Sequence, residues 1–137
     1  ERDLQQILRT EPNNPDALNA LGYTLADLNI TERLEEARDL IERAYEVDPD
    51  NPAIMDSLGW VYFRLGKLDD ALAWLESAYS RLPDQEVSAH LAEVLHALGR
   101  SDEARQAIAR AMRRADHHPQ IDELLERHPE LTPASTP

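Results

Sequence analysis

The chain contains no cysteine, which excludes disulfides, thiolate metal sites and a cysteine nucleophile and leaves the redox compartment open. Its four glycines are scattered, so no glycine-rich phosphate loop can form. Aromatic residues make up only 5% of the sequence. No run approaches the about 20 apolar residues that span a bilayer, and no basic-then-apolar leader opens the sequence. The first residue is Glu1 rather than Met, as expected of a processed or excised fragment. Cations are also scarce. Fourteen Lys and Arg stand against 27 Asp and Glu, a net charge of −13. Such a surface repels phosphate backbones and anionic head groups, so no nucleic acid and no direct membrane insertion are expected, and neutral or basic partners fit best.

What the 137 residues do hold is 42% hydrophobic content, enough for one compact domain or a short run of repeats, and an internal repeat. NPDALNALGYTLADL (14–28) and NPAIMDSLGWVYFRLG (51–66) both run Asn-Pro, apolar residue, Leu-Gly, aromatic. EVSAHLAEVLHALG (86–99) is a third copy that keeps the Leu and a small residue but loses the aromatic. Each is followed by a segment carrying an Ala, a bulky apolar residue four positions on, and another Ala three beyond: Ala37, Ile41, Ala44; Ala71, Leu75, Ala78; Ala104, Ile108, Ala111.

These steps of three and four predict helices. In the second copy Met55, Leu58, Gly59 and Tyr62 form one stripe and Ala71, Leu75 and Ala78 the facing one. Gly59 and the alanines are small where two helices cross closely. Asn-Pro marks the helix starts, while Gly66 and Gly99 mark helix ends.

This pattern resembles the tetratricopeptide repeat (TPR), a 34-residue helix–turn–helix unit with the signature W-x2-L-G-x2-Y…A-x3-F…P. The matching residues are Leu18, Leu21, Gly22, Leu25, Ala37, Ile41 and Pro49 in the first copy, and Met55, Leu58, Gly59, Tyr62, Ala71, Leu75 and Pro83 in the second. In the third they are Ser88, Leu91, Ala92, Leu95, Ala104, Ile108 and Asp116, of which Ser88, Ala92 and Asp116 depart from the signature. The resemblance implies an all-α fold, a right-handed α-solenoid with a C-terminal capping helix. Six segments are expected: 1–12 as the second helix of a truncated preceding repeat, copies at 13–50, 51–84 and 85–118, a capping helix at 119–128, and a disordered tail at 129–137. NITERLEE (29–36) reads as a short loop insertion, and Asn29-Ile30-Thr31 is formally a glycosylation sequon.

No catalytic constellation emerges. The carboxylates are expected on exposed helix faces. Ser57, Ser77 and Ser88 have no nucleophile-activating arrangement. His90, Glu93 and His96 share one side of a helix and His117-His118 are adjacent, but a metal site needs three or four convergent ligands, so no metal and no cofactor are expected.

LGWVYFRLG (58–66) sorts by face at about 100° per residue. Tyr62 joins the core stripe, Ile54, Val61 and Leu65 face a neighbouring helix, and Asp56, Trp60 and Arg64 are expected exposed, with packing on the adjacent repeat the alternative for Trp60; Phe63 lies between the two directions, undecided between core and groove. In the TPR family the first helices line a concave groove where peptides bind. The resemblance places there Asn19, Tyr23, Ala26 and Asp27 of copy one, Asp56, Trp60, Phe63 and Arg64 of copy two, and Ala89, His90, Glu93 and His96 of copy three. Tyr23 and Trp60 occupy the same repeat position. TPR domains that clamp acidic chaperone tails use Lys, Asn and Arg, a set this groove departs from.

The expected function is therefore a non-catalytic scaffold binding a neutral or basic protein or peptide segment, with Trp60 and Tyr23 as anchors and Asp27, Asp56 and Glu93 selecting charge. The alternatives are homo-oligomerisation, with self-association through cut solenoid ends, and an accessory domain of a larger enzyme. LGYTLAD and DSLGWVYFRLG also resemble C-terminal repeats of bacterial TPR proteins, including outer-membrane lipoproteins. That resemblance implies a periplasmic or outer-membrane-associated location rather than a cytoplasmic one.

Overall fold

The computed structural model describes residues 2–27, 31–115 and 117–133. It contains α1 (Arg2–Thr10), α2 (Pro15–Asp27), α3 (Leu34–Val47), α4 (Pro52–Arg64), α5 (Leu68–Arg81), α6 (Gln85–Ala97), α7 (Ser101–Arg114) and α8 (Pro119–Arg127). Short 3-10 turns occupy Thr31–Arg33 and Pro129–Leu131, and no strand occurs among the described residues. Most of the sequon at 29–31 and the TPR position at 116 lie outside the described residues, as does 134–137.

Polar side chains at the helix starts explain where the first helices begin. Asn14 Oδ1 accepts from the Ala17 N–H at 3.0 Å, Asn51 Oδ1 from Ala53 at 2.9 Å and Asp84 Oδ1 from Val87 at 2.9 Å. Pro15 and Pro52 follow their caps directly, where a missing N–H costs nothing. At the far ends Gly66 and Gly99 both take φ of 81°. In each turn the glycine N–H and the next residue's N–H fold back onto the helix's last carbonyls, Gly66 to Phe63 and Lys67 to Tyr62, Gly99 to His96 and Arg100 to Leu95. A side chain there would strain the left-handed backbone.

Three hairpins result, α2 with α3, α4 with α5 and α6 with α7, stacked so that α2, α4 and α6 are neighbours. The small-residue stripe lies where the pattern places it. Ala37, Ile41, Ala44, Ala71, Leu75, Ala78, Ala104 and Ile108 are fully buried. A Cβ on Gly22 would lie 2.9 Å from the Ala37 carbonyl oxygen, so the glycine permits the crossing of α2 and α3. Tyr62 is half-buried rather than fully within the core, and its hydroxyl donates to Glu42 Oε2 at 2.8 Å. Burial first, then Glu42, pushes its pKa up to about 12.

The C-terminus differs from expectation. Pro129–Leu131 is ordered as a 3-10 turn rather than beginning a disordered tail, because Leu131 is fully buried in the cluster that holds Ile121 and Leu124. α8 packs chiefly on α6.

Candidate functional site

Four helices, α2, α4, α6 and α8, enclose a cavity of about 190 Å³. Tyr23 and Asp27 enter from α2, Trp60 from α4, Glu86, Ala89, His90 and Glu93 from α6, and Gln120, Glu123 and Arg127 from α8. Successive first helices place their inward-facing residues side by side, which brings Tyr23, Trp60 and His90 together although they lie in three different repeats.

At the cavity's base is a buried polar assembly. His90 Nδ1 donates to Asp56 Oδ1 at 2.8 Å, and both side chains are buried. The indole of Trp60 stacks on the His90 ring with centroids 4.3 Å apart and planes 23° apart. Phe63 also contacts the tryptophan, 5.2 Å between centroids with planes 31° apart. Tyr23 approaches His90 at 6.2 Å and lines the same cavity as Glu86. Burial pulls the imidazole pKa down, but the charge and hydrogen bond of Asp56, with Glu86 and Glu93, more than reverse it, so His90 lies above its ordinary value. An imidazolium beneath an indole face is a favourable cation–π arrangement. Glu86 is also raised, by burial first and then by Asp56. Burial and the carboxylates of Glu86, Asp27 and Asp56 hold the Tyr23 hydroxyl well above its usual value.

The expected exposure of copy two is corrected here. Trp60 is 7% exposed and Asp56 5%, while Phe63 and Arg64 are half-buried. The following repeat covers them, since α6 lays His90 over Trp60 and gives Asp56 its partner. His90 and Glu93 are buried as well, against the expectation that the carboxylates occupy exposed faces. Glu93 Oε2 accepts from Arg127 Nη1 at 2.8 Å. Asn19 lies to one side, in a separate recess with Asp56 and Glu86. Two buried polar atoms have no partner among the described residues near this site, Asn19 Oδ1 and Trp60 Nε1.

His90, Glu93 and His96 share a helix side but turn to different partners: Asp56, Arg127 and Ser101 with Glu130 respectively. Asp56, Glu86 and His90 do place ligand atoms within 4.8 Å of one another. There His90 Nδ1 and Asp56 Oδ1 already satisfy each other at 2.8 Å. Sequence reasoning missed Glu86, Gln120, Glu123 and Arg127. The last three recur at helical spacing beside the apolar Ile121–Leu124 stripe, a signal the sequence did contain.

A model of the tetratricopeptide repeat matches residues 1–52, 31–86 and 59–119. The chain belongs to the tetratricopeptide repeat family. It is 55% identical over 93 residues to a TPR repeat-containing protein of Pseudomonas aeruginosa, a match covering 68% of this chain and 15% of that protein. It is 38% identical over 63 residues to bacteriophage adsorption protein A of Escherichia coli K12, covering 46% of this chain and 6% of that one. The chain thus spans a small part of both relatives' length. Among solved structures, a thermophilic TPR protein of Thermus thermophilus superposes with a TM-score of 0.75 at 26% identity, covering 95% of this chain and 70% of the other. Pseudomonas aeruginosa PilF does so at 0.72 and 19% identity, covering 93% and 59%, which speaks to fold alone. The all-α TPR solenoid implied by the repeat is therefore the fold. TPR folds generally mediate protein–protein interaction, and TPR proteins are typically non-catalytic scaffolds. No helix of the described residues is long and apolar enough to cross a membrane.

Proposed function

We propose that this TPR domain binds a basic or neutral segment of a partner protein across α2, α4, α6 and α8, with a lysine or arginine side chain entering the cavity. The observation that carries this reading is the cavity's charge. Asp27, Glu86, Glu93 and Glu123 line it against His90 and Arg127. A volume of about 190 Å³ is below the roughly 300–1,000 Å³ of small-molecule pockets, so a single side chain of a longer segment suits it better than a free ligand. Burial first and then the nearby Asp56 carboxylate raise Glu86, a cost that an incoming cation would offset.

The division of labour among the groove residues changes with the burial. Trp60 and Asp56 support the floor, Tyr23 offers the accessible aromatic wall, and Asp27, Glu86 and Glu123 select charge. The Escherichia coli relative's name ties that protein to bacteriophage adsorption, which supports a periplasmic or outer-membrane-associated location here. Self-association would draw on the exposed apolar side chains Ile7 of α1, Val47 at the end of α3 and Leu82 after α5, at 37%, 49% and 41% exposure. Three side chains on separate segments fall far short of a stable interface.

The test is fluorescence anisotropy with two labelled peptides, one of alternating lysine and alanine and one of alternating glutamate and alanine. Binding of the lysine peptide, weakened by salt and reduced several-fold in Glu86→Gln, is expected. Equal binding of both peptides, or an unchanged Glu86→Gln, would overturn the reading.

A further inference from the structure

On the other side of the α6–α8 contact, the C-terminal turn meets the end of α6. His96 stands in the last turn of α6, His128 caps the end of α8, and Glu130 lies in the 3-10 turn that follows. His96 Nε2 is 3.0 Å from Glu130 Oε2, and His128 Nδ1 is 3.7 Å from the same oxygen. The two rings meet edge to face with centroids 5.1 Å apart. One ligating atom from each of the three residues lies within 4.8 Å of the others.

The remote nitrogen of His96 has the hydrogen-bond partner that metal-bound histidines need, and that of His128 faces a carboxylate at longer range. His96 Nδ1 is 2.8 Å from Ser101 Oγ, and His128 Nε2 is 3.7 Å from Glu93 Oε2. Such outer partners fix ring orientation and leave the inner nitrogen free to ligate. The turn itself is held. Leu131 is fully buried, its N–H donates to the His128 carbonyl at 3.0 Å, and Arg105 Nε donates to the Glu130 carbonyl at 3.0 Å.

We propose that His96 Nε2, His128 Nδ1 and Glu130 Oε2 form a binding site for a divalent transition metal, zinc by ligand chemistry. Two imidazoles and one carboxylate suit zinc, whereas calcium and magnesium require mostly oxygen ligands. Tetrahedral zinc with bonds of about 2.0–2.1 Å sets its ligand atoms about 3.3–3.4 Å apart. The observed 3.0 and 3.7 Å to the carboxylate oxygen straddle that spacing, and the two ring nitrogens lie within 4.8 Å of each other, so side-chain rotation that draws the rings together completes the site. Three protein ligands leave a fourth position for water. Binding would tie α6, α8 and the C-terminal turn together and seal the cap of the array.

The whole chain, stripped with chelator and dialysed, is titrated with zinc chloride by calorimetry, and cobalt(II) serves as the spectroscopic probe. The expected result is one zinc per chain at micromolar concentration, a melting temperature raised by excess zinc but not by calcium, and intense visible cobalt bands of four-coordinate type. Glu130→Gln, at a half-exposed side chain whose loss leaves the core intact, and His128→Gln should each weaken binding at least tenfold. Ser101→Ala should weaken it about 10–100-fold while the cobalt bands persist. No binding at micromolar zinc overturns the assignment. So does binding that survives both His128→Gln and Glu130→Gln, which would place the ion at His90 or at His117 and His118.

Discussion

Trp60 and His90 belong to different repeats yet lie ring against ring, their centroids 4.3 Å apart. The contact makes one tryptophan both a packing residue and the floor of the cleft. Its position in the repeat points it toward the groove, and the next repeat then closes over it.

Trp60→Ala is therefore expected to destabilise the domain by about 3–5 kcal/mol, the range for large aromatic core deletions. Trp60→Phe should cost less, since the indole N–H has no acceptor among the described residues to lose. Urea denaturation of the three proteins measures both. A Trp60→Ala variant as stable as wild type would show that the ring is superficial.

The buried pair beneath it predicts a pH dependence. The folded values of Glu86 and His90 are both raised above their ordinary 4.5 and 6.5. Each contribution to stability is thus complete below the unfolded value and is lost as pH rises through the folded one. Stability should decline above pH 4.5 from Glu86 and above pH 6.5 from His90. Asp56→Asn should flatten the second decline and cost about 3–5 kcal/mol at low pH, where it strands a buried imidazolium. Ring-proton NMR gives the direct check: a His90 midpoint at or below the ordinary histidine value in wild type contradicts the account.

The two helical glycines should differ. A Cβ at Gly22 meets the Ala37 carbonyl oxygen at 2.9 Å, which cannot rotate away. At Gly59 the closest neighbours are side-chain atoms of Leu75, and the Ala71 carbonyl is 3.3 Å off. Overpacking costs about 1–3 kcal/mol, against about 1 kcal/mol of helix propensity regained. Gly22→Ala is expected to lower the melting temperature clearly and Gly59→Ala by less, a ranking that thermal unfolding followed by circular dichroism decides.

Arg127 occupies the cleft as an internal cation paired with Glu93. Arg127→Gln should raise affinity for the lysine peptide several-fold by freeing that carboxylate, at some cost in stability because Glu93 is buried. Anisotropy with unchanged or weaker binding would show that Arg127 does not compete with the peptide.

The repeat makes the hairpins legible. Leu18, Leu58 and the Ala37–Ile41–Ala44 stripe are short-range, periodic features, and helical spacing reports them directly. The cleft residues are only half legible. Periodicity assigns Trp60 and Asp56 to a face but says nothing of what the next repeat lays on that face, so it overstates their exposure. His90 bonds Asp56 across 34 positions, a separation no local pattern encodes. Leu131 shows the same limit from the other direction: Pro, Glu and Thr around it have the composition of a tail, and one leucine with a waiting pocket suffices to order the turn.

The turns at Gly66 and Gly99 share one φ of 81° and one pair of backfolding hydrogen bonds. Each joins the two arms of its hairpin, α4 to α5 and α6 to α7, and the third hairpin stacks on the second through α5 and α6. A change of a few degrees at either glycine acts as a lever: small at the pivot, it grows with distance along the array. The Trp60–His90 contact spans α4 and α6, and the Gly66 turn leads from α4 into the α5 that packs on α6, so a conservative-looking replacement at that turn can detune a surface it never touches.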